Sequence, residues 1–201
     1  MNLSQLTSEN LIMLDAVFED RFSAINALTD RIDQAGKLTN RQQFLDAVML
    51  REEEGPTALG EYLAIPHGKS IAVTEPVFAC ALLKNELQWK GLDGDEPVTM
   101  IFLLAIPPAE AGSTHMEVLT TLTSSLVEDD FREALQNATS QQQVMALLSS
   151  DEENLESQPA ETENDVPPME QPEMARDISG KAYPLVLGAG LVISVLLFLM
   201  L

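Results

Sequence analysis

The chain has two histidines and one cysteine, the side chains best suited to nucleophilic work near neutral pH. His67 stands in Ala64-Ile65-Pro66-His67-Gly68. The proline before it fixes one backbone dihedral and removes an amide donor. The glycine after it permits close approach or a positive φ. The imidazole is therefore held at a sharp exit from the short apolar run Tyr62 to Ile65. That placement suits a nucleophile presented outward, and it equally suits an ordinary strand-ending turn. A neutral imidazole attacks phosphorus without a base to unmask its lone pair, and an imidazole of ordinary pKa is mostly neutral at cytoplasmic pH. A phosphorylated imidazole is a good leaving group. Onward transfer then asks the protein for positioning and charge stabilisation.

Four further positions bear on such chemistry. Arg51 carries a planar fork able to hold two phosphoryl oxygens, or it forms an ion pair with Glu52, Glu53 or Glu54. Thr57 and Ser70 offer hydroxyls. His115 lies in Thr114-x-x-Glu117, a capping-box pattern that puts it at the first position of a helix. There the dipole opposes a positive ring and the free amides favour an anion; the plain alternative is an exposed histidine near a cap. Cys80 sits inside the apolar run Val77 to Leu83 with no basic neighbour in sequence, which reads as a small buried apolar group. Neither histidine has a partner at zinc spacing, and no glycine-rich nucleotide loop occurs, so neither a metal nor another cofactor is expected.

The elements that must position these side chains follow from periodicity. Leu11 to Leu14 suits a first strand. Asp20 caps a helix whose apolar face is Phe22, Ile25, Leu28 and Ile32, closed at Gly36. Thr39 with Gln42 three residues later reads as a capping box for a second helix bearing Phe44, Leu45 and Val48. This helix ends at Gly55-Pro56, with Arg51 in its last turn. Val77 to Leu83 and Val98 to Ala105 are continuous apolar runs, the mark of strands covered on both faces. Gly91-Leu92-Asp93-Gly94 marks a turn between them. Met116, Leu119, Leu122 and Leu126, then Phe131 and Leu135, return to helical spacing. A last helix begins at Thr139 and buries Val144, Leu147 and Leu148. Interleaved strands and helices predict an α/β fold.

Arg51, Gly55, Thr57, Leu59, Gly60 and Ala64-Ile65-Pro66-His67-Gly68, with Thr114-His115-Met116 further on, resemble the active-site segments of one family. It is the fructose/mannitol-type (type 2) IIA domain of the bacterial phosphoenolpyruvate-dependent sugar phosphotransferase system. The resemblance covers residues 1–150. It implies a single mixed β-sheet flanked by helices on both faces. It further implies that His67 takes a phosphoryl group from phospho-HPr and passes it to a cysteine of a IIB domain in trans. Arg51 and His115 would assist, and Thr57 and Gly68 would help to seat the phosphoryl group. One departure is visible: Glu61-Tyr62 stand where the family usually has its second glycine. Related IIA-like domains act as regulators that bind partners according to phosphorylation state, so a membrane-anchored regulatory module is the alternative expectation.

The net charge of −21 is unevenly shared. Residues 1–150 carry −13, residues 151–177 carry −9, and Lys181 supplies the remaining +1. Such acidity excludes nucleic acid as a partner and suits a basic protein partner. The N-terminus shows no signal-peptide pattern. Residues 151–181 read as a disordered, acidic, proline-rich linker. Residues 182–201 hold no charge, and about 20 residues at about 1.5 Å each match a hydrocarbon core of about 30 Å. The expectation is a transmembrane helix attaching a cytoplasmic domain to the inner face of the bacterial inner membrane.

Overall fold

Two short 3-10 turns, Leu3–Leu6 and Glu9–Leu11, lead into strand β1, Ile12–Ala16. The computed structural model describes residues 3–108, 120–126 and 128–156. Helix α1, Arg21–Gln34, starts at an extended Asp20 whose carboxylate accepts the Ser23 amide at 2.7 Å, while Ser23 Oγ accepts the Asp20 amide at 3.1 Å. This reciprocal pair is a capping box with serine in the third position. The helix ends as expected at Gly36, whose φ of +72° suits glycine. Ile25, Leu28 and Ile32 are buried, but Phe22 is 43 % exposed and lies beneath the Arg21 guanidinium, 4.6 Å from the ring centroid.

Helix α2, Arg41–Glu54, is capped by Asn40, not by Thr39: the Asn40 side chain accepts the Gln43 amide at 3.0 Å. Thr39 is drawn away because its own amide and hydroxyl both donate to the Ala72 carbonyl, beside the Leu38–Val73 bridge. Phe44, Leu45 and Val48 are buried as expected.

The sheet comprises β1, β2 (Ala58–Gly60), β3 (Leu63–Ala64), β4 (His67–Lys69), β5 (Val77–Lys90) and β6 (Asp95–Ile106), in the order β1-β5-β6-β3-β2 with β4 also on β6. It is mixed: β5 and β6 are antiparallel, whereas β1 runs parallel to β5, and β3 and β4 run parallel to β6. Val77 to Leu82 and Met100 to Ile106 are buried at every position. Successive side chains point to opposite faces, so both faces of the central strands are covered. Beyond Leu83 the β5–β6 hairpin continues with alternating burial, Leu87 and Trp89 inward, and turns where the Gly91 amide donates to Gly94 O at 2.7 Å.

The path to His67 differs from the expected strand-ending turn. Leu63 lies opposite Met100 and His67 opposite Leu104, so β3 and β4 keep one register along β6. The interruption is Pro66, which has no amide to give the ladder, while its carbonyl still accepts Leu104 N–H at 3.0 Å. His67 therefore opens a strand. Ahead of it, β2 and β3 are joined by a two-residue turn, Glu61-Tyr62, with φ of 50° and 60°, a type I′ geometry normally given to Asn-Gly. Two contacts hold it. Arg132 donates to Glu61 Oε2 at 3.2 Å, and Tyr62 O accepts the Thr99 and Met100 amides at 2.8 and 3.1 Å.

Three helical segments follow: α3 (residues 120–126), α4 (Asp129–Gln136) and α5 (Gln141–Glu156). Leu122, Leu126, Leu135, Val144 and Leu148 are buried, whereas Phe131 and Leu147 are only partly so. The cap of α5 is Ser140, whose Oγ accepts the Gln143 amide at 3.2 Å. Thr139, the expected cap, is paired through its amide and hydroxyl with the Gln143 side chain. Helix α5 continues past residue 150, the expected domain end, to Glu156, and Met1–Gln158 forms one compact unit. The rest of the expected linker and the apolar segment 182–201 lie outside the described residues. Among the described residues no helix is long and apolar enough to cross a membrane.

Candidate active site

Helix α2 and the broken strand β3–β4 bring together two of the residues singled out in the sequence. Arg51, in the last turn of α2, donates from Nε to His67 Nε2 at 3.0 Å and from Nη1 to Gly55 O at 3.1 Å. The guanidinium can only donate, so Nε2 is the accepting nitrogen. The proton of the neutral ring is then on Nδ1, which lies 3.0 Å from the carbonyl oxygen of Ile65 and donates to it. Thus Arg51 and the backbone carbonyl two residues upstream together set the tautomer, and the lone pair on Nε2 faces the Arg51 guanidinium. Of the readings open to Arg51, its fork is engaged with the imidazole and the Gly55 carbonyl. His67 is 6 % exposed, so it is tucked beside α2 and not presented outward.

Glycine at position 68 is what lets the helix come so near. A Cβ there would lie 2.7 Å from Val48 Cγ2, 3.1 Å from Val48 N and 3.2 Å from Phe44 Cε2. Gly68, expected to help seat the phosphoryl group, is a helix-packing position. Thr57, expected to offer its hydroxyl to that group, is 2 % exposed; Oγ1 donates to Glu52 Oε1 and accepts from Trp89 Nε1 at 3.0 Å. Ser70 serves a turn, accepting the Ala72 amide at 3.2 Å. Cys80 is buried in β5, and burial pushes its thiol up to about 12. His115 and its capping box lie outside the described residues.

Sequence reasoning missed Glu52. It belongs to an acidic run, Glu52 to Glu54, that reads as surface. Yet Phe44, Val48 and Glu52 recur every four residues on the buried stripe of α2, and that spacing was the signal. Glu52 is 2 % exposed. Burial pushes its carboxyl above the ordinary value of 4.5, against the opposing pull of the Thr57 hydrogen bond, the charges of Arg21 and Arg51, and the Trp89 indole N–H. Its Oε2 has no hydrogen-bond partner among the described residues.

This arrangement of an arginine on a histidine lone pair, set in a mixed α/β sheet, can be placed among known proteins. A family model described as "Phosphoenolpyruvate-dependent sugar phosphotransferase system, EIIA 2" matches residues 5–151. The chain belongs to that family. Domains of the family are phosphotransferases that relay phosphoryl groups through histidine. The chain is 50 % identical over 148 residues to the 2-O-alpha-mannosyl-D-glycerate-specific EIIABC component of Escherichia coli, a match covering 74 % of this chain and 22 % of that protein. The chain thus spans under a quarter of that relative. It is 34 % identical over 148 residues to the fructose-specific EIIA component of Haloferax volcanii, covering 74 % of this chain and 95 % of that one. Among solved structures it resembles the nitrogen regulatory protein IIA-Ntr of Neisseria meningitidis, with a TM-score of 0.66 and 26 % identity over 72 % of this chain and 97 % of that one. It also shares its fold with the mannitol IIA of Escherichia coli, solved in complex with phosphorylated IIB, with a TM-score of 0.61 and 22 % identity over 71 % of this chain and 96 % of that one.

Proposed function

We propose that this IIA domain accepts a phosphoryl group on His67 Nε2 from phospho-HPr and passes it to the cysteine of a IIB domain. One observation carries the reading: Arg51 Nε donates to Nε2 while Nδ1–H is held by the Ile65 carbonyl. The lone pair of Nε2 forms the new N–P bond as the P–N bond to the donor imidazole breaks, its electron pair staying with the donor ring. Arg51 releases the lone pair and turns its fork to the phosphoryl oxygens, where a charge-assisted bidentate contact is strong. The Nδ1–H bond to Ile65 O supports the positive ring so formed. In the second step the P–N bond breaks toward His67 as the cysteine thiolate takes the phosphorus. His115, by the family resemblance, assists from the other side.

The 50 % identity to the mannosylglycerate EIIABC component, against 34 % to the fructose EIIA component, favours a IIB partner of the former type within the fructose/mannose class. A second reading, a regulator whose partner binding follows phosphorylation, draws on the likeness to the nitrogen regulatory protein. The uncharged stretch 182–201 supports attachment of the domain to the cytoplasmic face of a membrane. Phosphorylating the full chain with phosphoenolpyruvate, Enzyme I and HPr, and then adding the mannosylglycerate-type IIB, tests the transport reading. Prompt appearance of phosphocysteine on IIB supports it; stable phosphoprotein with no loss to any IIB of the class favours the regulator. Carbonate extraction of membranes tests the attachment, which requires the full chain to stay in the pellet.

A further inference from the structure

Three buried side chains outside the reacting pair converge on the segment between α2 and β2. Glu52 (2 % exposed), Thr57 (2 %) and Trp89 (0 %) come from α2, the loop after it and β5. An indole N–H can only donate, so Trp89 Nε1–H obliges Thr57 Oγ1 to accept, at 3.0 Å. The hydroxyl proton is thereby directed to Glu52 Oε1. The hydroxyl thus accepts from the indole and donates to the carboxyl, and the indole N–H also favours the carboxyl directly.

The backbone on either side of that hydroxyl holds both members of the reacting pair. Gly55 O accepts Arg51 Nη1–H at 3.1 Å. Thr57 O accepts Ile65 N–H at 2.9 Å, and Ile65 O accepts His67 Nδ1–H at 3.0 Å. Pro66 removes the ladder bond that would otherwise tie the strand to β6 between these two residues. Both groups that select the histidine tautomer, Arg51 and the Ile65 carbonyl, are therefore held by the backbone of residues 55–57. Burial outweighs the pull of Thr57, Arg21, Arg51 and Trp89 on this carboxyl, and its Oε2 is without a hydrogen-bond partner among the described residues, so the group is costly to bury.

We propose that Glu52, Thr57 and Trp89 form a brace that positions Arg51 and the His67 imidazole together, so that Thr57 is a positioning residue acting through residues 55–57. This inference rests on the reading that His67 is the phosphoryl acceptor. Thr57→Val keeps the shape of the side chain and removes the hydroxyl; Thr57→Ser keeps the hydroxyl. Two readouts on the full-length protein separate positioning from bulk stability. One is the 15N spectrum of the His67 ring, which reports the Nδ1–H tautomer without any phosphoryl transfer. The other is the split between kcat and KM for transfer from phospho-HPr.

The expected result for Thr57→Val is a mixed tautomer population. With it should come a kcat lower by about tenfold to a hundredfold, the scale of a misplacement near 1 Å, and a KM for HPr within about twofold of the parent. Thr57→Ser should restore both. If Thr57→Val does not fold, Trp89→Phe removes the indole donor together with part of a fully buried ring, and the same tautomer shift is expected. The proposal is overturned if Thr57→Val, or Trp89→Phe in its place, keeps the parent tautomer and kcat. A rise in KM alone, or failure of Thr57→Ser to restore kcat, also overturns it. A parent protein that takes no phosphoryl group on His67 defeats the underlying reading instead, and the tautomer measurement still decides the brace.

Discussion

Adding one methyl group at Gly68 should push the helix that bears Arg51 away from the strand that bears His67. The new Cβ would lie 2.7 Å from Val48 Cγ2 and 3.1 Å from Val48 N. A side-chain tip alone can swing aside, but the Val48 amide belongs to the backbone of α2. The whole turn must shift by a few tenths of an ångström or more, with Phe44 Cε2 at 3.2 Å moving too. Overpacking of this kind costs about 1–3 kcal/mol. In a domain of this size each kcal/mol lowers Tm by about 2–4 °C, so Gly68→Ala should melt roughly 2–12 °C below the parent. Val48 and Arg51 are three residues apart on α2, so the same shift lengthens the 3.0 Å Arg51–His67 contact. Phosphoryl uptake from phospho-HPr should fall about tenfold to a hundredfold. A Gly68→Ala/Val48→Ala pair should be less destabilised than the sum of its parts by about 0.5–3 kcal/mol, because Val48→Ala removes one of the clashing atoms. Calorimetry and a single-turnover transfer assay read both effects. A Gly68→Ala protein within 1 °C of the parent (roughly a tenth of the larger shift worked above), transferring at the parent rate, would refute the packing argument.

Arg51→Ala should leave the fold intact and slow phosphoryl transfer by about 10²–10³, the usual cost of losing one preorganised donor; rapid-quench kinetics check it. Tyr62→Gly, at a φ of 60° and 48 % exposure, should stabilise the protein, because the left-handed penalty of about 1–2 kcal/mol exceeds glycine's extra chain entropy of about 0.5–1 kcal/mol; thermal melts decide. The folded protein binds the Glu52 proton more tightly than the unfolded chain, whose carboxyl titrates near 4.5, so this group's contribution to stability falls as pH rises above that value. Urea melts should therefore show Glu52→Gln gaining on the parent from pH 4.5 upward, and no trend across that range would contradict the raised carboxyl.

The elements that periodicity could reveal are those whose burial is one-sided or complete. Ile25, Leu28 and Ile32 mark α1, and the unbroken runs in β5 and β6 mark strands covered on both faces. Where a second partner competes, local pattern misleads. Thr39 and Thr139 both look like caps, but Thr39 is taken by Ala72 across the chain and Thr139 by the Gln143 side chain, leaving Asn40 and Ser140 to cap. The outer half of the β5–β6 hairpin went unnoticed because its alternation, Leu87 and Trp89 inward, replaces the continuous run that precedes it. His67 and Arg51 were legible from their motif. The strand continuity through Pro66 was not, since a proline ordinarily reads as a break. Glu52, Thr57 and Trp89 meet only in three dimensions, 5 residues separating the first two and 32 the last two.

The most direct test of the account is the identity of the nitrogen that carries the phosphoryl group. Full-length protein with 15N-labelled histidine is phosphorylated through phosphoenolpyruvate, Enzyme I and HPr and examined by 31P and 15N NMR. One phosphoryl group is expected on His67 Nε2, with Nδ1 still protonated, and no uptake by His67→Ala. A phosphoryl group on Nδ1 of His67 or on His115, or undiminished uptake by His67→Ala, would contradict it.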